Sequence, residues 1–249
     1  MSVLVLALVS GAVIGVALGA LGGGGSVLAV PALIYLLGFT PVAATTASLV
    51  IVAVTTATAL PAHAREGHVR WRTGLLFAAA GIGPAMLGGL VAARLPAAGL
   101  TAAFALVALV AAVRMLRPRS GTPDAGRAVR PGRAAAVGAG LGAVTGVLGV
   151  GGGFLAVPAL VGVLGLRMRA AVGTSLLVIT LNSVAALALR AGTADGLDWA
   201  VIGPFAGAAV LGAWDGKRLA KKVSGQVLQR IFALVLLGVA GFMLIGSAV

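Results

Sequence analysis

Residues 19–33 read GALGGGGSVLAVPAL and residues 146–160 read GVLGVGGGFLAVPAL, identical at eleven of fifteen positions and offset by 127 residues. A chain that writes one phrase twice in this way is built from two equivalent halves, and its fold must place the phrase twice. The correspondence continues without a gap at the same offset: Gly38 with Gly165, Ala43-Ala44 with Ala170-Ala171, Ser48-Leu49 with Ser175-Leu176. With short adjustments, Gly88 then falls against Gly212, Arg94 against Arg218, and the FALV of 104–107 against that of 232–235.

The runs around these phrases are apolar. Only 9% of the 249 residues are charged and the mean hydropathy is +1.15, whereas a soluble domain carries about a quarter charged residues. The chain cannot cover itself with water, so it reads as an all-α polytopic membrane protein. Ten segments emerge, 2–21, 27–38, 41–61, 73–93, 99–116, 134–149, 154–166, 168–189, 199–216 and 226–247. A spanning helix needs about 20 apolar residues. The second and seventh fall short and each follows the glycine phrase, which predicts a helix that enters, breaks at glycine and turns back. The N-terminal run lacks a cationic flank and continues into the glycine phrase, so it reads as the first membrane segment rather than a leader. Residues 117–133, RPRSGTPDAGRAVRPGR, read as a linker between a first repeat (1–116) and a second (134–249).

Net charge is +13. In a soluble chain that would point to nucleic acid, but here the eighteen Lys and Arg lie between apolar runs without interleaved aromatics, so no nucleic-acid partner is expected. The cations instead read as topogenic. Placing the linker in the cytoplasm puts 63–72, Arg167, Arg169 and 217–222 on the same side, and 94–98 and 191–198 outside. Corresponding loops of the halves then lie on opposite sides, which predicts two inverted repeats in an inner membrane. The chain has no cysteine, hence no disulfide framework, thiolate metal site or thiol chemistry.

Inverted repeats with glycine-broken helices near the midplane are a recurrent carrier architecture. Glycine tolerates positive φ, which lets the backbone turn. Short helices beginning at Ser26 and Gly153 would aim their N-terminal amides at the centre of the protein, where the amides and the helix dipole favour an anion. Pro31 and Pro158 interrupt hydrogen bonding inside each short helix. Close packing is the competing use of glycine: Gly11, Gly15, Gly19 and Gly138, Gly142, Gly146 recur at i, i+4 and are assigned to helix contacts, while 22–25 and 149–153 are assigned to the site. A nucleotide loop is ruled out because GGGGS lacks the Gly-Lys-Ser/Thr ending.

The pattern GxGGG…VPxL followed by Ala-Ala…TS, present in both halves, resembles the sulfite exporter TauE/SafE family of membrane transporters (4-toluene sulfonate uptake permease type). The resemblance implies a multi-pass inner-membrane carrier for sulfite, sulfonates or related sulfur-containing anions. By position it points to Gly24, Gly25, Pro31 and Ser48, and to Gly151, Gly152, Pro158 and Ser175. The first half departs from the pattern with TTAS at 45–48 against VGTS at 172–175.

Among polar groups inside apolar runs (Thr45, Thr46, Ser48, Thr174, Ser175, Asn182, Ser183), the substrate role is assigned to Ser48, Ser175 and Asn182. The others read as bonded back to their own helix or joining neighbours. Arg94 and Arg190 read as snorkelling cations, Asp215 as a local ion pair with its basic neighbours, and Trp71, Trp199 and Trp214 as interfacial anchors. His63 and His68, flanking Glu66, read as solvated, with too few ligands for a metal. No metal or cofactor is expected. The partners expected are a small anion and the lipid bilayer, with a homo-oligomer left open. An intramembrane enzyme, an assembly protein and an anion channel stay open as alternatives to the carrier, and no enzyme activity is expected.

Overall fold

The computed structural model describes residues 2–92, 97–116, 129–148, 153–190 and 197–248. These residues form ten α-helices and, among them, no strand. In chain order they are α1 (Ser2–Leu21), α2 (Gly24–Pro31), which runs into a π-helical turn at Ala32–Leu36, α3 (Pro41–Arg65), α4 (Trp71–Ala92), α5 (Ala97–Leu116), α6 (Pro131–Val147), α7 (Gly153–Gly162), α8 (Met168–Leu189), α9 (Trp199–Lys221) and α10 (Gly225–Ala248). At least four of them, α1, α3, α4 and α8, are long and apolar enough to cross a bilayer. Bulky apolar side chains such as Val5, Val9 and Val13 of α1 and Leu87 and Leu90 of α4 stand exposed, as lipid-facing positions do.

The helices outrun the apolar segments at several ends. α3 continues to Arg65 and α9 to Lys221, because Ala, Arg, Lys and Leu favour helix after the apolar run has finished. Residues 217–221 are therefore helix, not the turn expected from their charge. α6 starts at Pro131, a residue preorganised for the first helical position, so its first turn takes in Arg133.

Two seams of small residues hold the bundle. On α1, a Cβ at Gly11, Gly15 or Gly19 would run into the backbone of Phe205, Ala209 or Ala213 of α9. On α6, a Cβ at Gly138, Gly142 or Gly146 would run into Phe77, Gly81 or Ala85 of α4. Numbering rises together along both seams, so each pair runs parallel. In lipid there is no hydrophobic force between helices, and closeness of backbones is what packing requires.

The seams also give the register of the repeat. Since α1 and α6 are offset by 127, the contacts equate Phe77 with Phe205, Gly81 with Ala209 and Ala85 with Ala213, an offset of 128. Gly88, facing Ala143, then corresponds to Gly216, facing Val16. This corrects the sequence pairing of Gly88 with Gly212: Gly212 and Gly216 lie one turn apart, and a glycine match alone cannot tell them apart.

Equivalent helices from the two halves also pack on each other. Along α3 and α8, Thr180 donates to Thr56 (2.8 Å), Arg190 donates to Thr45 (3.1 Å), and the Arg70 amide beyond α3 donates to Thr174 (3.0 Å). Residue numbers rise on one helix as they fall on the other, so α3 and α8 run antiparallel. Gln229 at the start of α10 donates to the Met115 carbonyl at the end of α5 (2.6 Å), which makes that pair antiparallel as well. The short helix α7 is buried throughout most of its length, with Phe154, Val157 and Leu160 in the larger core cluster. α2 contributes Ala29 and the π turn Leu33 to the second cluster, beside Ile14, Leu18 and Phe205.

If the seams set the packing, Gly15→Ala and Gly142→Ala will destabilise the protein despite the better helix propensity of alanine, by about 1–3 kcal/mol of overpacking. Gly140→Ala on the same helix α6 meets nothing within 4 Å and will leave stability unchanged or raise it by up to about 1 kcal/mol. Thermal unfolding in detergent of the three variants beside wild type checks the contrast.

Candidate functional site

α1 stops because of one residue. Gly22 sits at φ +71, a conformation glycine alone adopts freely, and its amide donates to the Leu18 carbonyl (2.8 Å). The chain then folds back: Gly25 of α2 lies against Leu18 and the Ile14 carbonyl of α1. The depth of this break follows from the seam. Gly19 faces Ala213, after which α9 runs eight residues to Lys221 and α1 only two to Leu21. The six-residue difference, at 1.5 Å per residue, sets the break about 9 Å in from the end of α9.

At that depth the two short helices meet. Gly23, which caps α2, presses on the Gly153 carbonyl and the Phe154 Cα at the start of α7. Beside them, a Cβ at Gly22 would strike the Ser175 hydroxyl and lie 3.3 Å from both Val157 and the Val172 Cα. α2, α7 and α8 thus converge on Gly22 and Gly23. The far ends of the two short segments are built alike. Gly38 (φ +72) and Gly165 (φ +77) take the left-handed position, with Phe39 donating to Leu33 (3.0 Å) and Leu166 to Leu160 (3.0 Å). This is the same glycine-terminated cap in both halves.

The expected site residues distribute as follows. Gly24 opens α2, Ser26 lies within it, and Gly25 packs on α1, a contact that by itself excludes a side chain there. Pro31 ends α2, and the missing amide is followed by the π turn. Gly153 and Pro158 are buried in α7. Gly151 and Gly152 lie outside the described residues, as do Arg94 and the stretches 93–96 and 191–196. Ser175 is fully buried and next to Gly22, and its hydroxyl donates to the Val172 carbonyl (2.8 Å). Ser48 repeats this on α3, donating to Thr45 (2.8 Å). Asn182 shares the α8 face of Ser175 but lies seven residues, about 10 Å, farther along. Its Oδ1 is buried without a protein partner, an arrangement that costs about 1–3 kcal/mol if nothing else satisfies it.

Three of the segments that charge assigned to one side, those around Glu66, Arg169 and Lys217–Lys221, meet at one end of the described residues. Glu66 at the C-cap of α3 accepts from Lys217 (2.8 Å) and Lys221 (2.7 Å) of α9 and faces His68 (3.4 Å). Lys217 also donates to the Ala62 carbonyl. Arg169 of α8 donates to the carbonyls of Lys221 (3.3 Å) and Val223 (3.4 Å). Burial alone would raise the Glu66 pKa, but the hydrogen bonds and charges of the two lysines outweigh it and hold the group at about 2. His63, expected to be solvated, is 5% exposed, and neither ring nitrogen has a protein partner. The correction has a simple cause: α3 runs a turn past its apolar segment and carries His63 inside with it. His68 is half-buried beside Glu66. One signal was present in the sequence, since Glu66 is the sole acidic residue in positions 1–123. No group of residues able to hold a metal occurs among the described residues. Asp215 pairs with Arg218 (3.5 Å) as expected, both well exposed.

Against known proteins, the family described as Sulfite exporter TauE/SafE matches residues 7–243. A "Probable membrane transporter protein" of Xylella fastidiosa strain 9a5c is 36% identical over 245 residues, 95% of this chain and 93% of the relative. Its counterpart in strain Temecula1 / ATCC 700964 is 35% identical over 244 residues, with the same shares covered. No solved structure matches.

Two outcomes follow from this geometry. Gly22→Ala will destabilise by about 1–2 kcal/mol for the left-handed backbone and by a further amount for the collision with Ser175. In the Ser175→Ala background the collision with the hydroxyl is removed, and the backbone cost and the close approach to Val157 and Val172 will remain. The double variant will therefore lose less than the single one, which equilibrium unfolding in mixed micelles reads. For Glu66 the folded pKa lies below the ordinary 4.5, so its clamp contributes fully above that pH and is lost as pH falls towards 2. The melting temperature will therefore drop across this window in wild type and follow a flatter profile in Glu66→Gln.

Proposed function

The chain belongs to the sulfite exporter TauE/SafE family and is a multi-pass membrane transporter, and from that premise we propose that it carries a small anion by alternating access. The cargo is sulfite, a sulfonate or a related sulfur-containing oxyanion. The observation that carries the reading is the abutment of two helix N-termini, α2 at Gly23 and α7 at Gly153, beside the Ser175 hydroxyl. Helix N-termini favour negative charge, each by about 0.3–2 kcal/mol, without placing a cation in lipid.

In this reading the substrate is held by Gly24, Gly25, Ser26, Pro31 and Ser48 of one half and by Gly151, Gly152, Gly153, Pro158, Ser175 and Asn182 of the other. Ser175 turns its hydroxyl from the Val172 carbonyl to a substrate oxygen, while Asn182 gains a partner along the route. The halves, 1–116 and 134–249, are inverted repeats in an inner membrane, with the 117–133 linker cytoplasmic. The antiparallel packing of α3 on α8 supports inversion, and so does the gathering of Glu66, Arg169, Lys217 and Lys221 at one end.

Uptake into proteoliposomes, with sulfite, sulfoacetate, taurine and sulfate in parallel, tests the proposal. Wild type will show saturable uptake and counterflow of one of these anions. Ser175→Ala and Asn182→Leu, with melting temperatures close to wild type, will lose about tenfold or more in uptake efficiency, the worth of a hydrogen bond to a charged group. Uptake that fails to saturate would make the protein a channel, and variants that transport normally would place the site elsewhere.

A further inference from the structure

The cluster at the charged end surrounds a small cavity lined by Ala20, His63, Glu66, His68, Arg169, Val172, Lys217 and Lys221, among others. It has room for about one water molecule. Its walls carry three permanent cations and one carboxylate. Its most deeply buried polar member is His63, whose ring faces His68 at 6.4 Å between centroids and whose nitrogens reach no protein acceptor or donor. Buried imidazoles almost always find a partner. The inner wall, Ala20 and Val172, adjoins Gly22, so the cavity lies directly outside the broken helices.

We propose that this cavity is a binding site for a small oxyanion with three or more oxygens, and that Glu66 occupies its lysines as a tethered competitor. A carboxylate offers two oxygens: one takes both lysines and the other faces His68. A sulfite, sulfonate or sulfate group reproduces those two contacts and brings a third oxygen, which supplies the acceptor that His63 lacks. The cavity is too small for such an anion while the Glu66 carboxylate fills it, so the two bind in exchange. Glu66 is placed to swing aside, because it lies at the helix end beside Gly67, itself at φ +70, on the short connection to α4. The binding itself is independent of whether the chain is a carrier; only its use as an antechamber to the glycine break rests on the function proposed above.

The two histidines of the chain make the test direct. Full-length protein in detergent is treated with diethyl pyrocarbonate, with carbethoxylation at His63 and at His68 resolved by peptide mass spectrometry. Sulfate and methanesulfonate are titrated against chloride at constant ionic strength. Either anion will slow modification of His63, and the half-protecting concentration will fall by about tenfold in Glu66→Gln, where the competing charge is gone. Lys217→Met will abolish protection. A His63 rate indifferent to both anions, in wild type and in Glu66→Gln alike, overturns the proposal. Proteoliposome uptake of the same anions separates the two readings. Protection without uptake keeps this site and removes the carrier, whereas saturable uptake without protection keeps the carrier and removes this site.

Discussion

The direct contact of helix backbones along the two glycine seams is the constraint from which the rest of the molecule follows. In a bilayer, lipid tails solvate Leu and Val as well as another helix does, so association depends on how closely two helices approach. Gly11, Gly15 and Gly19 let α1 rest on the α9 backbone, and Gly138, Gly142 and Gly146 let α6 rest on α4. Because both members of each seam come from different halves, neither half is complete alone. The seam also fixes depth. With Gly19 held at Ala213, the reversal at Gly22 is set inward of the end of α9, and the two short helices have one place to meet.

Much of this was legible from sequence because glycine leaves a periodic trace. The i, i+4 glycines of α1 and α6 announced packing, and the single left-handed glycines at Gly38 and Gly165 stood at matched positions in the repeat. The break itself was visible as a cluster, but the cluster does not say which member turns. Gly22 is the one at positive φ, while Gly25 serves the contact with α1. Likewise Gly212 and Gly216 are equal as letters, and only their facing residues, Ala12 and Val16, assign them.

The charged end was misread for a different reason. Hydropathy marks where a chain stops being apolar, whereas a helix stops where its hydrogen bonds are capped. α3 and α9 both continue past their apolar segments, and in doing so carry His63 into the interior and set Lys217 and the more exposed Lys221 on a helix against Glu66. A solvated histidine and an enclosed one look the same in a sequence when the helix boundary is drawn four residues early. The lone Glu66 among cations was the better clue, since an isolated carboxylate needs somewhere to put its charge and the nearest lysines are 150 residues away in sequence.

The repeat makes the charged end more informative than it is alone. At the offset of 127, His63 corresponds to Arg190 and Val172 corresponds to Thr45. These four residues are neighbours in pairs across the halves: Arg190 donates to Thr45 (3.1 Å), while Val172 and His63 line the same cavity. The departure of TTAS from VGTS is thus matched by a second departure on the facing helix. One end of the α3–α8 pair sets a permanent cation against a hydroxyl that bonds it. The other sets a titratable ring against an apolar wall and leaves its nitrogens unbonded. Two halves built to one plan could have carried the same chemistry at both ends. They differ at contacting positions, and differ together: at one end the cation is held by a hydroxyl, and at the other the ring nitrogens are left without a protein partner.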